Sequence, residues 1–387
     1  MNHFDVLIVG CGITGASIAR KLADEGYRVN IIDRRDHIGG NAYDYVDEHG
    51  ILVHKYGPHT FHTCDKSLFD FINKYAEWEE YHLTCGAEIN GKCTPTPFNF
   101  QTIDDFYDLD DAEKLKKRIA EVFPGRKTAT VLEVLSCEDK TVRDYAQFLF
   151  DNDYSLYTAK QWGVPASEID PSVLRRVPLR FSYDIGYFDD PYQVMPKESF
   201  TDFFKSLLDH PNITIELNTD ALEHLKIEND RLIFDGETFD KYVVYTGAID
   251  ELFDMKFGAL PYRSLEFKWE YEDIESKQDM PVVAYPQAKD FIRIVEFKKM
   301  MPHRPVQGTS YEVEYSLPYK KGVKQEPYYP VLTEDSQNQY EKYKKLADNI
   351  PKLICCGRLA DFKYYNMDQA LSNALNVADR LLSLLKK

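Results

Sequence analysis

Apolar and polar positions along the chain fall into blocks of two periods. Residues 4–9 are a continuous apolar run of one buried strand's length, and residues 13–23 place apolar side chains at helical spacing. Residues 27–32 form a second strand ending at Asp33. Leu68, Phe71, Ile72 and Tyr75 share one face of a helix that Ser67 caps and that is expected to reach about Trp78. Residues 82–93 alternate as a strand pair around Asn90-Gly91, a hairpin dipeptide, and the prolines of residues 94–99 make a connector. Three helices are expected between 102 and 150: one opening at Ile103, one over 112–122 and one over 141–150. No period holds from Asp153 to Asp190. Beyond it come a helix at 200–208, strands at 213–217, 231–234 and 241–245, and several long strands within 263–316. Residues 340–346 read as helix, 353–358 as a buried strand and turn, and 368–385 as a closing helix.

Composition narrows the class. The 387 residues are 43% hydrophobic, enough for two or three packed lobes. A formal net charge of −17 argues against nucleic acid and acidic membranes as partners, and leaves room for a few arginines to gather one anionic ligand. Seven cysteines form no CxxC pair, the ten histidines show no metal-ligand spacing, and no apolar run approaches 18 residues. A reduced, cytoplasmic protein without a metal or membrane insertion is expected.

The chemistry starts at the first turn. Gly10, Gly12 and Gly15 are spaced GxGxxG between a strand and a helix, and Asp33 follows about 20 residues on. Three glycines allow a tight turn, a diphosphate against the backbone and close helix–strand packing, while Asp33 suits ribose hydroxyls. The stretch after Asp33, with Gly39-Gly40-Asn41, resembles the second signature of glutathione-reductase-type FAD proteins, which makes FAD the expected cofactor. The fold class is then α/β: a discontinuous Rossmann-like FAD-binding domain with an inserted helical lobe and a mixed or antiparallel sheet lobe. The expected boundaries are 1–80, 200–260 and 350–387 for the FAD domain. They are 100–170 for the helical lobe, and 81–99, 171–199 and 261–349 for the sheet lobe.

Further stretches carry a more specific likeness. Gly57-Pro58-His59-Thr60-Phe61-His62-Thr63, Tyr157-Thr158-Ala159-Lys160-Gln161-Trp162-Gly163, Arg175-Arg176-Val177-Pro178, Phe291-Ile292-Arg293-Ile294 and Gly357-Arg358 occur in the order found in one family. Together they resemble the UDP-galactopyranose mutase family, which interconverts UDP-galactopyranose and UDP-galactofuranose. The resemblance implies cofactor contacts from Gly10, Gly12, Thr14, Gly15, Asp33, Arg34, Gly39, Gly40, Asn41, His59, Gly357, Arg358, Asn366 and Met367. It implies substrate contacts from Tyr157, Thr158 and Trp162 on the uridine, and from Arg176 and Arg293 on the diphosphate. Tyr187, Tyr328, Tyr329 and Tyr364 are expected nearby, and Arg263 near the sugar. His59, Arg176 and Arg293 would be the catalytic side chains, with Arg176 on a loop that closes over substrate. The family's chemistry runs on reduced FAD, through an adduct between flavin N5 and the sugar. An external reductant such as NAD(P)H and a homodimer are implied partners.

Departures from the family pattern cluster on the sugar side. One aromatic and an arginine are missing from residues 153–159, an asparagine has become Ala284, and an aspartate has become Asn366. A mutase for an N-acetylated or deoxy sugar nucleotide is therefore an alternative substrate reading. An amine-oxidase-type redox flavoprotein would share the cofactor signatures, and a non-catalytic FAD-binding protein with a degenerated site is supported only by the changes at Ala159 and Ala284.

Overall fold

The computed structural model describes residues 4–163, 165, 167, 177–301, 304 and 306–386. Its central layer is parallel, because each strand returns to the sheet through a crossover. The chain opens with β1 (Val6–Val9), α1 (Ile13–Asp24) and β2 (Val29–Ile32). The hairpin β3 (Cys85–Ile89) and β4 (Lys92–Thr96) follows, then α2 (Phe100–Phe106), α3 (Leu109–Val122), α4 (Val131–Leu135), α5 (Lys140–Leu149) and α6 (Ser155–Trp162). Next come α7 (Phe200–Leu208), β5 (Ile213–Glu216) and β6 (Tyr242–Tyr245). Five strands make most of the second large sheet: β7 (Tyr262–Glu272), β8 (Val282–Ala284), β9 (Arg293–Glu296), β10 (Thr309–Pro318) and β11 (Tyr329–Pro330). The chain ends with α8 (Glu334–Asp348), β12 (Leu353–Cys355) and α9 (Met367–Leu385).

The parallel sheet has the order β5-β2-β1-β6-β12. Alternation along β1 feeds two cores. Val6 and Ile8 pack with Phe203, Phe204 and the α9 residues Leu371 and Leu381, whereas Leu7 and Val9 pack with Tyr245 and Tyr343. The second sheet has the order β11-β7-β10-β9-β8-β3-β4 and is antiparallel except for the β8–β3 pair. The helices α3, α4 and α5 close a third core, around Leu115, Val131, Val142 and Tyr145, that also takes in Phe98 and Tyr154.

Several local expectations need correcting. The helix after Asp65 is capped by that aspartate and ends at Ile72, and Trp78–Glu80 is a strand. Asn99 caps α2, so Ile103 lies mid-helix, and β4 extends through the first of the two connector prolines. Residues 150–162, expected to be irregular from Asp153 on, are helical throughout. Tyr192–Pro196 pairs with Phe61–Thr63 and Trp78–Glu80, not with the seven-stranded sheet. α8, placed with the sheet lobe by sequence, packs through Tyr343 and Ala347 on the parallel sheet.

Gly15 shows how tightly the first turn is made. A Cβ there would lie 2.0 Å from the Gly10 carbonyl oxygen, so strand and helix meet through bare backbone. Gly15→Ala is expected to cost about 1–3 kcal/mol by overpacking, read as a lowered thermal midpoint. An unchanged midpoint would contradict this contact.

Candidate active site

Two Gly-rich turns build the floor of a groove beside β1. Gly39 N–H donates to the Cys11 carbonyl, and Cys11 N–H donates to Asp33 Oδ2 at 2.7 Å, tying both turns to the end of β2. A Cβ on Gly40 would approach Gly12 Cα to 2.8 Å. The groove is therefore walled by peptide groups, and Gly12 caps α1, which has no acidic residue in its first turn. Such a surface receives a diphosphate through N–H groups and the positive helix end. Along it lie Thr14, Gly15, Asn41 and Gly357 in one stretch, and Gly10, Asp33 and Arg34 in the next. Asp33 keeps further acceptor capacity for hydroxyls, since each oxygen holds one backbone N–H. Arg34 is paired with Glu326 at 2.5 Å.

A second cavity, of about 310 Å³, opens from the end of this groove. His59, Arg358, Asn366 and Met367 line both spaces and so form the junction. Asn366 and Met367 begin α9, whose N-terminus thus meets the junction. A two-ended ligand bound in the groove would present its far end to the cavity here.

His59 stands at that junction in a fixed protonation state. Its backbone N–H donates to His54 Nδ1 at 3.0 Å, and its Nδ1 lies 2.8 Å from the Gly57 carbonyl. A carbonyl can only accept, so Nδ1 carries the proton and Nε2 presents a lone pair. Burial, aided by the nearby His54, Arg358 and Arg293, pushes the His59 pKa down to about 3 against the opposing Gly57 carbonyl. Burial alone does the same for His54, down to about 3.

The sheet supplies the cavity floor. Cross-strand register aligns Ala284, Arg293 and Glu314 in one row over β8, β9 and β10. Arg293 Nε lies 2.7 Å from Glu314 Oε2, whose side chain is fully buried. Burial is the largest influence and opposes the arginine's charge, but Glu314 together with Tyr157 and Tyr329 holds the Arg293 pKa well above its ordinary value. Glu312, two residues away on the same face, is also fully buried. Burial and the neighbouring Glu314 push its pKa well up against the pull of Arg293.

Aromatic rings complete the walls. Tyr329 and Tyr364 stack at 5.3 Å, Trp162 packs against both, and the Arg358 guanidinium lies 5.5 and 5.4 Å over their rings. Tyr157, Thr158, Tyr187 and Arg293 line the same cavity. Trp162 is only 6% exposed, so little of its ring is open to a base, whereas Tyr157 is half-buried at the wall.

Two expected substrate residues sit elsewhere. Tyr328 faces the groove, because neighbours on an extended strand point to opposite sides and Tyr329 takes the cavity side. Arg263 does not line the cavity: its guanidinium donates to the Lys160 and Gln161 carbonyls and to Ser316, holding the end of α6. Arg176 lies outside the described residues. Sequence reasoning missed Glu314, whose only signal was an acid at a buried position of an alternating strand, and Asp153.

A dinucleotide-type groove that opens into a separate chamber is the layout of a dinucleotide-binding α/β enzyme. A family model described as UDP-galactopyranose mutase matches residues 153–364, and one described as an NAD(P)-binding Rossmann-like domain matches residues 8–75. The chain is 37% identical to the UDP-galactopyranose mutase of Mycoplasma genitalium, over 99% of this chain and 96% of that one. It is 35% identical to the dTDP-fucopyranose mutase of Escherichia coli, over 96% and 97%. A crystal structure of reduced UDP-galactopyranose mutase superposes with a TM-score of 0.75 at 15% identity, covering 100% of this chain and 95% of that one. The chain belongs to the UDP-galactopyranose mutase family. The double-glycine groove and its open end suit FAD, the cofactor the sequence leads one to expect.

Two outcomes follow from the buried charges. Unfolded His54 and His59 take up protons below their ordinary pKa of 6.5, and the folded residues do so only near 3. Stability is thus fully present above pH 6.5 and falls as pH drops through that window, by up to about 1.4 kcal/mol per pH unit for each. Urea midpoints at pH 7.5, 6 and 5 should decline in that order; equal midpoints would contradict neutral histidines. Glu314→Gln strands the Arg293 charge and should cost about 3–5 kcal/mol, seen as a lower urea midpoint beside an intact Glu312→Gln control.

Proposed function

We propose that this chain is an FAD-dependent isomerase that interconverts UDP-galactopyranose and UDP-galactofuranose. The observation that carries the reading is the continuity of the diphosphate-type groove with a chamber holding Arg293, Arg358 and the packed rings of Trp162, Tyr329 and Tyr364. Reduced FAD, when bound, supplies an electron-rich ring at the junction, and the net reaction consumes no reductant.

The chain's own groups supply the rest. Arg293, positioned by Glu314, holds the diphosphate and stabilises it as a leaving group. Tyr329 and Tyr364 flank it with phenols carried against Arg358. His59 offers an unprotonated Nε2, fit to accept a proton or hydrogen bond from the cofactor or a sugar hydroxyl, and adds no positive charge there. The rings of Trp162, Tyr329 and Tyr364 keep water from the reacting carbon. Binding roles for Tyr157, Thr158 and Tyr187, and closure by Arg176, complete the reading. The family motifs lie largely outside the cofactor module, which sets this reading above an amine-oxidase-type one.

A second substrate has its own support. The dTDP-fucopyranose mutase is about as similar as the UDP-galactopyranose mutases, and Ala284 beside Arg293 leaves space where a larger side chain could contact sugar. A dTDP-linked deoxy sugar is the alternative. NAD(P)H or a reductase as electron donor, a homodimer, and a cytoplasmic site of action accompany the proposal. No helix of the described residues is long and apolar enough to cross a membrane.

The test is anaerobic conversion of UDP-galactofuranose to UDP-galactopyranose, with and without dithionite, followed by chromatography. Turnover only with reduced flavin, without net consumption of reductant, is expected. Arg293→Ala should lower kcat/KM by at least about tenfold, the equivalent of about 1.4 kcal/mol. Turnover of dTDP-fucose alone would select the second substrate, and stoichiometric oxidation of reductant would refute both.

A further inference from the structure

The helix that walls the cavity starts irregularly. Phe150–Tyr154 is a π-helical stretch running straight into α6, a rare geometry that re-aims side chains and recurs at functional sites. Asp153, Tyr154, Tyr157, Thr158, Gln161 and Trp162 line the cavity from this continuous helix. Their i, i+4, i+8 spacing makes one stripe. Trp162 ends the stripe beside Tyr364 and Arg358, near the cofactor junction. Asp153 stands roughly 13 Å further along the axis, at about 1.5 Å per residue. On the reading above, a nucleotide sugar with its sugar at the junction and its phosphates at Arg293 lays its base toward Asp153.

Asp153 is the one carboxyl lining the cavity among the described residues, and none of them hydrogen-bonds to it. Lys160, the cation among the described residues that acts on it, cannot satisfy it. Lys160 gives its three protons to the carbonyls of Tyr285, Ala288 and Phe291, at 2.5, 2.8 and 2.9 Å. An unpartnered acid inside a chamber for a polyanion needs a donor on the ligand itself. Burial pushes the Asp153 pKa up to about 7, with the Lys160 charge opposing. Among the described residues, the phenols of Tyr154, Tyr157 and Tyr187 and the guanidinium of Arg293 line the same cavity, and Asp290 acts on Lys160. A protonated carboxyl offers one acceptor and one donor side by side, which matches the N3–H and C4 carbonyl of uracil or thymine. A carboxylate offers two acceptors, which match guanine N1–H and N2–H instead.

We propose that Asp153 is the base-reading residue of this site, its carboxyl making a two-point pair with the imide edge of uracil or thymine. The neutral acid makes this pair; ionisation turns its donor into an acceptor that opposes the C4 carbonyl. Affinity for a uridine nucleotide therefore falls as pH rises through the titration of Asp153. An asparagine, with one acceptor and one donor, reproduces the neutral acid and cannot ionise.

The experiment uses the oxidised holoenzyme, which binds without turnover, and UDP-galactopyranose, whose doubly esterified diphosphate does not titrate near pH 7. Dissociation constants are measured by calorimetry from pH 6 to 8.5 for wild type, Asp153→Asn and Asp153→Ala, with thermal midpoints as a folding control. Wild-type affinity is expected to fall several-fold across this range. Asp153→Asn should stay near the wild-type pH 6 value throughout, and Asp153→Ala should be about tenfold weaker than that at every pH. The proposal is overturned if wild-type affinity is flat with pH, if Asn and Ala variants bind alike, or if GDP-mannose binds wild type more tightly than the uridine nucleotide. Failure of UDP-, dTDP- and GDP-sugars alike to bind wild type would overturn the nucleotide-sugar reading itself, and the base-reading role with it.

Discussion

Everything in this molecule hangs from a contact between two backbones. Gly12 and Gly40 approach so closely that a Cβ on the second would collide with the first, and Gly15 meets Gly10 in the same way. These contacts seat α1 on β1 and draw the Gly39-Gly40 turn over its N-terminus. Thr246 adds a third strand end, its hydroxyl donating to the Val9 carbonyl at 2.7 Å. The groove is the space such contacts leave. Its direction, from Asp33 past α1 to the start of α9, decides where a cofactor's reactive end emerges.

Features encoded within one turn were legible in the sequence. The three glycines, Asp33 and the Gly39-Gly40 pair announce backbone conformations that other residues reach only under strain, so their reading needs no knowledge of distant partners. Features decided by pairing between remote segments were not legible. Tyr192–Pro196 looks like any short strand, and its place beside Phe61–Thr63 is set by register between segments far apart in sequence. Tyr328 and Tyr329 carry the same side chain, and only the strand's direction sends one to the groove and the other to the cavity. Arg263 has the composition of a phosphate ligand, yet its neighbours in space are the carbonyls at the end of α6. The helix over residues 150–162 hides because its stripe is polar and aromatic, facing a cavity instead of a core.

The electrostatics resolve an apparent contradiction, a strongly acidic chain shaped to hold an anion. Net charge acts over the whole surface and is screened by salt within about 8–10 Å, whereas the chamber is governed by a few buried groups. Arg293 carries a guanidinium charge set against the buried Glu314, burial and Glu314 push the Glu312 pKa well up, and His54 and His59 are neutral. Two guanidinium groups, Arg293 and Arg358, line the chamber and give it a local positive field for a diphosphate. Arg293 faces the cavity and Glu314 lies behind it in the sheet.

This arrangement also explains why an acid can be tolerated at the far end of the same chamber. A carboxylate at Asp153 would subtract from the field of Arg293 and repel the phosphates, whereas a neutral acid does neither. Lys160 could have neutralised a carboxylate there, but its ammonium is committed to three carbonyls that join α6 to the loop after β8. Lys160, the cation among the described residues that acts on that acid, is thus committed to architecture. In its protonated form the Asp153 carboxyl is matched by a ligand that brings both a donor and an acceptor. The chemistry of the base, and not its charge, is what such a wall can discriminate.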